Sequence, residues 1–358
     1  MRSLQGLFCG LFLCAASLNG AEIRTVAGNG KPGAGGDGGP AVEAQVNEPF
    51  GLCRGPDGAL YFCDTNNHRV RKIDAKGVIT TVAGDGSKGY AGDGDAAVVA
   101  KMNEPYEVRF DSNGLLYIVE RLNAVVRRVD FRTGLIATVA GTGQEGFGGD
   151  GGPATSAQFK QPHSIALDRE GNLYVCDISN QRIRKVDMKT GIIFTFAGTG
   201  EKKPVVDGSP FATSPLSGPR AIDFDHDGNL WLALREGNAV YKLDLKTGTI
   251  HHIAGTGKTG FSGNGGPAKE ATLSGPKGLS VGPDGNIYLA DTESHSIRMI
   301  DLKTGLLQLI AGTGQKGDGP EGNPLGCAMN RPHGILAEAD ALYIGDSAAH
   351  RVRKVTLK

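Results

Sequence analysis

Proline recurs at positions 49, 105, 162, 219, 276 and 332, at successive intervals of 56, 57, 57, 57 and 56 residues. Each proline opens the same pattern. In the third copy, Pro162-His163 is followed by an apolar run to Leu167, an Asp168-Arg169-Glu170-Gly171 turn and a second run ending at Cys176, before Asp177. A period held this closely over six copies makes each copy one supersecondary unit, and the chain an array of them. Length alone, at 358 residues, would suggest two domains; the repeat overrides it.

Each copy reads as four strands. In the third they are Ser164–Leu167, Asn172–Cys176, Gln181–Val186 and Ile192–Ala197. The runs are short, rich in β-branched and aromatic residues, and separated by Gly, Asp and Asn, which marks hairpin-linked antiparallel strands. Six such units predict an all-β fold: a six-bladed β-propeller of four-stranded antiparallel blades, whose radial closure protects strand edges. The sixth copy stops after its third strand, at Arg351–Leu357. Residues Ile23–Gly30 match the fourth strand and loop Ile79–Gly86 of the first copy. The expectation is that Glu22–Ala27 pairs with Arg351–Leu357 and closes the last blade. Between blades lie Gly-rich loops such as Gly141–Phe159. Proline at a first helical position followed by Ala-x-x-Ala predicts one short helical turn in each.

Lys plus Arg and Asp plus Glu both total 38, so the basic surplus expected of a nucleic-acid binder is absent. Residues 1–20 read as a secretory leader: Arg2, an apolar stretch around Leu7–Leu13 and small residues after it. Residues 21–358 then form a single propeller domain, secreted, periplasmic or at the cell surface. The apolar stretch is too short to span a membrane, and no transmembrane segment is expected. Cys9 and Cys14 go with the leader. Cys63, Cys176 and Cys327 fall in columns of small residues and read as buried free thiols; Cys53 lies near Cys63 across a hairpin, where a bridge is the lesser alternative.

The run Asp64-Thr65-Asn66-Asn67-His68-Arg69-Val70-Arg71-Lys72-Ile73-Asp74, with the Ala-Gly-Thr-Gly and Gly-Asp-Gly-Gly-Pro-Ala loops, resembles the NHL repeat. The loops are similar to those of bacterial NHL proteins and of the teneurin-type NHL domain. The resemblance covers Glu22 to Lys358 and implies a propeller serving mostly as an interaction module. Enzymes of related fold, amidating lyases and gluconolactonase-like propellers, imply an alternative: a metal-dependent lyase or lactone hydrolase with its site in the central channel. No full set of such metal ligands can be placed in this sequence.

Columns filled alike in most copies read as scaffold. These are the acids after strand two (Asp64, Glu120, Asp177, Asp291, Asp346, with Leu234 in blade four), the loop acids (Asp37, Asp93, Asp150, Asp207) and the arginines 71, 127, 184, 298 and 353. Corner acids should accept backbone N–H bonds, and loop acids should cap their own turns. The histidines 68, 295 and 350 share a further scaffold column. Function is sought where copies differ, and the residue after each opening proline differs: Phe50, Tyr106, His163, Arg220, Lys277 and His333. Strand one is innermost, so these six should ring the channel mouth. Glu48, Glu104 and Glu107 flank the aromatic side, and Arg331 the basic side. That arrangement suits a protein, peptide or glycan ligand whose anionic group is held by Arg220 and Lys277 and stacked on Tyr106 or Phe50. No reaction motif occurs, and no cofactor, metal ion or nucleic-acid partner is expected.

Overall fold

The computed structural model describes residues 20–357. The expected leader lies outside the described residues, apart from Gly20. Six four-stranded antiparallel sheets form six blades, each running outward in chain order from an inner strand that begins at the repeating proline. Blade one, for example, comprises Pro49–Arg54, Leu60–Asp64, Arg69–Ile73 and Ile79–Ala83. Blade six takes its outer strand from the other end of the chain: Glu22–Ala27 pairs with Arg351–Thr356, with Ile23 opposite Val355. The closure expected from the sequence is therefore present. No helix among the described residues is long and apolar enough to cross a membrane.

The core is made by columns that the repeat dictates. Leu52, Val108, Ile165, Ile222, Leu279 and Ile335 lie on the inner strands opposite Phe62, Ile118, Val175, Leu232, Leu289 and Ile344. All are buried, as are the alanines that end the fourth strands: 27, 83, 140, 197, 254 and 311. This gives every blade an apolar face to pack on its neighbour, the dominant favourable term in assembling the ring. Blades are also tied by hydrogen bonds at the inner strands. The Thr65 hydroxyl donates to the Pro105 carbonyl, Thr292 to Pro332 and Ser347 to Pro49, at 2.9, 2.6 and 2.8 Å.

Two expectations need correction in detail. In five of the six loops the short turn is 3₁₀; in three of these proline stands just before it (Pro153, Pro210, Pro267), entering the first helical position only at Pro324. The loop acids do not mainly cap their own turns. Asp37, Asp93 and Asp150 accept ion pairs from Arg71, Arg127 and Arg184, and Asp318 does so for Arg353. These four arginines and Arg298, all but inaccessible to solvent, reach the corner acids: Arg71 to Asp64, Arg127 to Glu120, Arg184 to Asp177, Arg298 to Asp291 and Arg353 to Asp346. The corner acids meanwhile accept backbone N–H bonds as expected, as in Asn47 to Asp64 and Lys160 to Asp177, both 2.7 Å. Cys53, Cys63, Cys176 and Cys327 are free and buried; Cys53 faces Tyr61 rather than Cys63 across its hairpin.

Candidate functional site

The six residues that follow the opening prolines converge at one end of the central channel. They line a basin of about 400 Å³, and each keeps only 3–8% of its surface exposed. Four of them form an arc of rings. His333 stacks on Phe50 with centroids 4.2 Å apart, Phe50 meets Tyr106 at 4.4 Å, and Tyr106 meets His163 edge-on at 4.6 Å. Arg220 reaches the arc from the opposite side. Its guanidinium lies 4.7 Å from the Tyr106 centroid and donates to the Tyr106 hydroxyl at 2.9 Å.

The two histidines have the same setting. Nδ1 of His163 lies 2.6 Å from the Gln161 carbonyl, and Nδ1 of His333 lies 2.8 Å from that of Arg331. A carbonyl only accepts, so Nδ1 carries the proton in both and Nε2 keeps its lone pair. Burial holds both rings well below the ordinary histidine pKa; Arg220 pushes His163 further down, and Lys277 and Arg220 do the same to His333. Both are neutral at physiological pH. Among the described residues no three His, Cys, Asp or Glu side chains converge to hold a metal ion.

The cations differ in how they are partnered. Lys277 donates to Glu293 at 2.6 Å, and Arg331 binds the same carboxylate at 2.9 Å. Burial works against the Glu293 charge, but these two hydrogen bonds hold its pKa at about 2. Arg121 pairs with Glu104, and Arg235 with Glu236. Arg220 is different: among the described residues its partner is the Tyr106 hydroxyl, and no carboxylate pairs with it. The basin wall carries Arg121, Lys202, Arg220, Arg235, Lys277 and Arg331 against Glu48, Glu104 and Glu236. It is thus positive on a chain of zero net charge.

Sequence reasoning placed all six column residues here but missed Glu293, Arg235, Glu236 and Lys202. The first three sit in the turn after strand two, at the positions of Asn66 or its neighbours, and Lys202 lies in an inter-blade loop. Glu107, expected beside the aromatic rim, lies beneath the mouth instead. It is paired with Arg109, near Asp223, which accepts the amides of Phe224 and Val281 at 3.0 and 2.9 Å. The backbone at the mouth is itself constrained. Glu48, Glu104, Gln161 and Arg331, each just before its proline, have φ of 52–54°, a conformation rare for residues with a side chain. In blades four and five the same position is glycine, Gly218 and Gly275. The preceding blade supports several of these amides. His68 Nδ1 accepts from Glu104 N, His295 Nδ1 from Arg331 N, Gln181 from Gly218 N and Asn238 from Gly275 N.

Fold and site together define a six-bladed propeller with a basic, aromatic-walled channel mouth. The family model of the teneurin NHL domain matches residues 24–90 and 142–213, and that of the NHL repeat matches residues 273–298. The chain belongs to the NHL-repeat β-propellers. It is 32% identical over 278 residues to the chloroplastic protein SUPPRESSOR OF QUENCHING 1 of Arabidopsis thaliana, covering 74% of this chain and 26% of that protein. It is 28% identical over 324 residues to NHL repeat-containing protein 2 of Gallus gallus, covering 82% and 44%. The chain thus spans less than half the length of these curated relatives. Among solved structures, an auxiliary nutrient binding protein from Bacteroides ovatus superposes with a TM-score of 0.68 at 17% identity, over 94% of this chain and 76% of that one. A gluconolactonase from Xanthomonas campestris gives 0.61 at 13%, over 98% and 94%. At these identities the likeness is one of fold.

Proposed function

We propose that residues 21–358 act as one exported binding propeller whose channel mouth receives the anionic group of a protein, peptide or glycan ligand. The observation that carries this reading is Arg220: a buried guanidinium with no carboxylate partner among the described residues, aimed into a concave basin. The Glu107 charge attracts Arg220 but is itself paired with Arg109, so a bound anion would give this buried guanidinium a direct partner. Lys277 contributes less than the sequence alone implied, because Glu293 already neutralises it. The rings of Phe50 and Tyr106 give the ligand an apolar wall. The leader-like composition of residues 1–20 supports export, and the nutrient-binding description of a structural neighbour is consistent with a binding role.

The test uses calorimetry on the mature chain with two probe sets: peptides bearing a free or amidated C-terminus, and uronic-acid oligosaccharides beside their neutral counterparts. The expected result is selective binding of the carboxylate member of a pair. Arg220→Ala should weaken it by about ten- to a hundred-fold, the range for a hydrogen bond to a charged group. Equal affinity of acid and neutral probes, or an Arg220→Ala change within about twofold, would sink the reading.

A further inference from the structure

Blade four departs from the other five in one connected set of residues. Elsewhere the inter-blade loop is pinned to its blade from two or three directions. The buried arginine donates to a loop carbonyl: Arg127 to Ala91, Arg184 to Gly148 and Arg298 to Ser262. In blades one to three an asparagine donates to another: Asn67 to Gly33, Asn123 to Gly89 and Asn180 to Gly146. The loop also bonds the residue after the small-residue column, as when Lys101 N donates to Ala91 O and Ala328 N to Gly319 O. In blade four the arginine is Tyr241, the asparagine is Gly237, the corner acid is Leu234, and the amide donor is Pro215, which has none. All of these anchors are gone together. Residues 201–206 take no regular structure, and a cleft of about 460 Å³ opens beneath them.

The cleft is amphipathic. Leu234, Ala239 and Tyr241, all buried, form its floor, and Val205 packs against them from the loop side. Asp207, lacking the arginine that its counterparts bind, accepts the His252 amide at 2.9 Å and stays half exposed. Lys202 and Glu236 belong to both this cleft and the channel mouth, so the two cavities adjoin. A floor of leucine, alanine and tyrosine suits an apolar or aromatic side chain. The loop freed from its blade leaves backbone donors and acceptors open to an extended main chain.

We propose that the blade-four cleft is a second subsite for a peptide ligand, taking an apolar or aromatic side chain of the segment whose carboxylate occupies the mouth. This rests on the mouth reading given above. The probes are acetylated peptides ending in a free carboxylate with one phenylalanine one to five residues upstream. Each is paired with its glycine-for-phenylalanine form and its C-terminal amide. At the best spacing, removing phenylalanine should lower affinity by about tenfold or more, the scale of burying such a side chain. Leu234→Asp, Gly237→Asn and Tyr241→Arg together rebuild the side-chain pins, leaving Pro215 as it is, and should close the cleft. Val205→Glu, at a half-buried loop position, should put a charge in its wall, and its melting temperature beside wild type separates a folding defect from a blocked cleft. Both variants should lose the phenylalanine preference and keep the acid-over-amide preference, whereas Arg220→Ala should do the reverse. Phenylalanine and glycine peptides binding wild type alike, a preference that survives both cleft variants, or no binding by any peptide would overturn the proposal. Loss of the acid-over-amide preference alone would instead remove the mouth reading.

Discussion

Lys277 and Arg220 sit side by side in the mouth, yet their chemistry differs. A guanidinium stays protonated in any protein environment, while a buried ammonium gives up its proton readily. Burial lowers the Lys277 pKa to about 8; the hydrogen bond to Glu293 opposes this, and the Arg220 charge adds to it. The folded value lies below the ordinary 10.5, so between them the unfolded chain holds a proton that the folded chain has released. Stability from this group therefore rises with pH across that window. Ligand binding should respond in the opposite sense, because the mouth loses one positive charge as pH climbs through about 8. Affinity for a carboxylate probe should fall between pH 7 and pH 9.5 at constant ionic strength, measured by calorimetry. In Lys277→Met the curve should be flat over that range. A slope that survives in Lys277→Met would assign the titration elsewhere. His163 and His333 should contribute nothing to it, since both are neutral throughout.

Within a blade, the buried arginine joins three elements: the end of strand two, the middle of strand three and the loop arriving from the preceding blade. Arg184 shows the arrangement, reaching Asp150 at 2.5 Å, Asp177 at 3.6 Å and the carbonyls of Gly148 and Gln158 at 3.1 and 3.2 Å. Burial pushes Asp177 up to about 6, against the hydrogen bonds from Asn180 and the Lys160 amide and the pull of Arg184. Replacing Arg184 with methionine keeps much of the volume but strands the carboxylate. The expected loss is about 3–5 kcal/mol, as for breaking any buried ion pair. It should be smaller at pH 5, where Asp177 protonates more easily, than at pH 8. Urea unfolding at the two pH values checks this, and equal losses would mean that packing rather than charge carries the effect.

The arginine and the acids were visible in the sequence as separate columns. Their pairing was not, because Arg184 and Asp150 are 34 residues apart and meet only when the loop folds back over the blade. The strands were legible to within one or two residues, since alternation and turn residues are local signals. The ring of differing residues at the mouth was legible as well, from the repeat register alone. Its counter-ions were not. Glu293 is brought in by the 3₁₀ turn Thr292–Ser294 and the left-handed residue after it, His295, and no spacing rule announces that geometry. Leu234 stood out in the sequence as an oddity of blade four, but the cleft it floors depends on Tyr241, Gly237 and Pro215 changing with it.

A ring has no free end to fray, and here one strand borrowed from the far end of the chain makes the ring. Glu22–Ala27 supplies the outer edge of blade six, buries Ile23 and Ala27 completely, and bonds through Ile23 to Gly322 of the preceding loop. Without it, the Arg351–Thr356 strand presents a row of unpaired backbone groups, the kind of edge that recruits other chains. Each blade contacts only its two neighbours, but closure couples all six, so the damage should not stay in blade six. The mouth crosses the same seam: Phe50 of blade one stacks on His333 of blade six. A chain of residues 28–358 should therefore melt at least about 10 °C lower than one of residues 20–358, on the scale of several lost hydrogen bonds and two buried side chains. It should also self-associate and bind carboxylate probes more weakly. A synthetic peptide spanning residues 22–30, added in excess, should restore the melting temperature and the size-exclusion profile of the intact chain by supplying the missing strand. If the truncated chain melts like the intact one, or if the peptide changes nothing, the closing strand is dispensable and the ring is held by its inner strands alone.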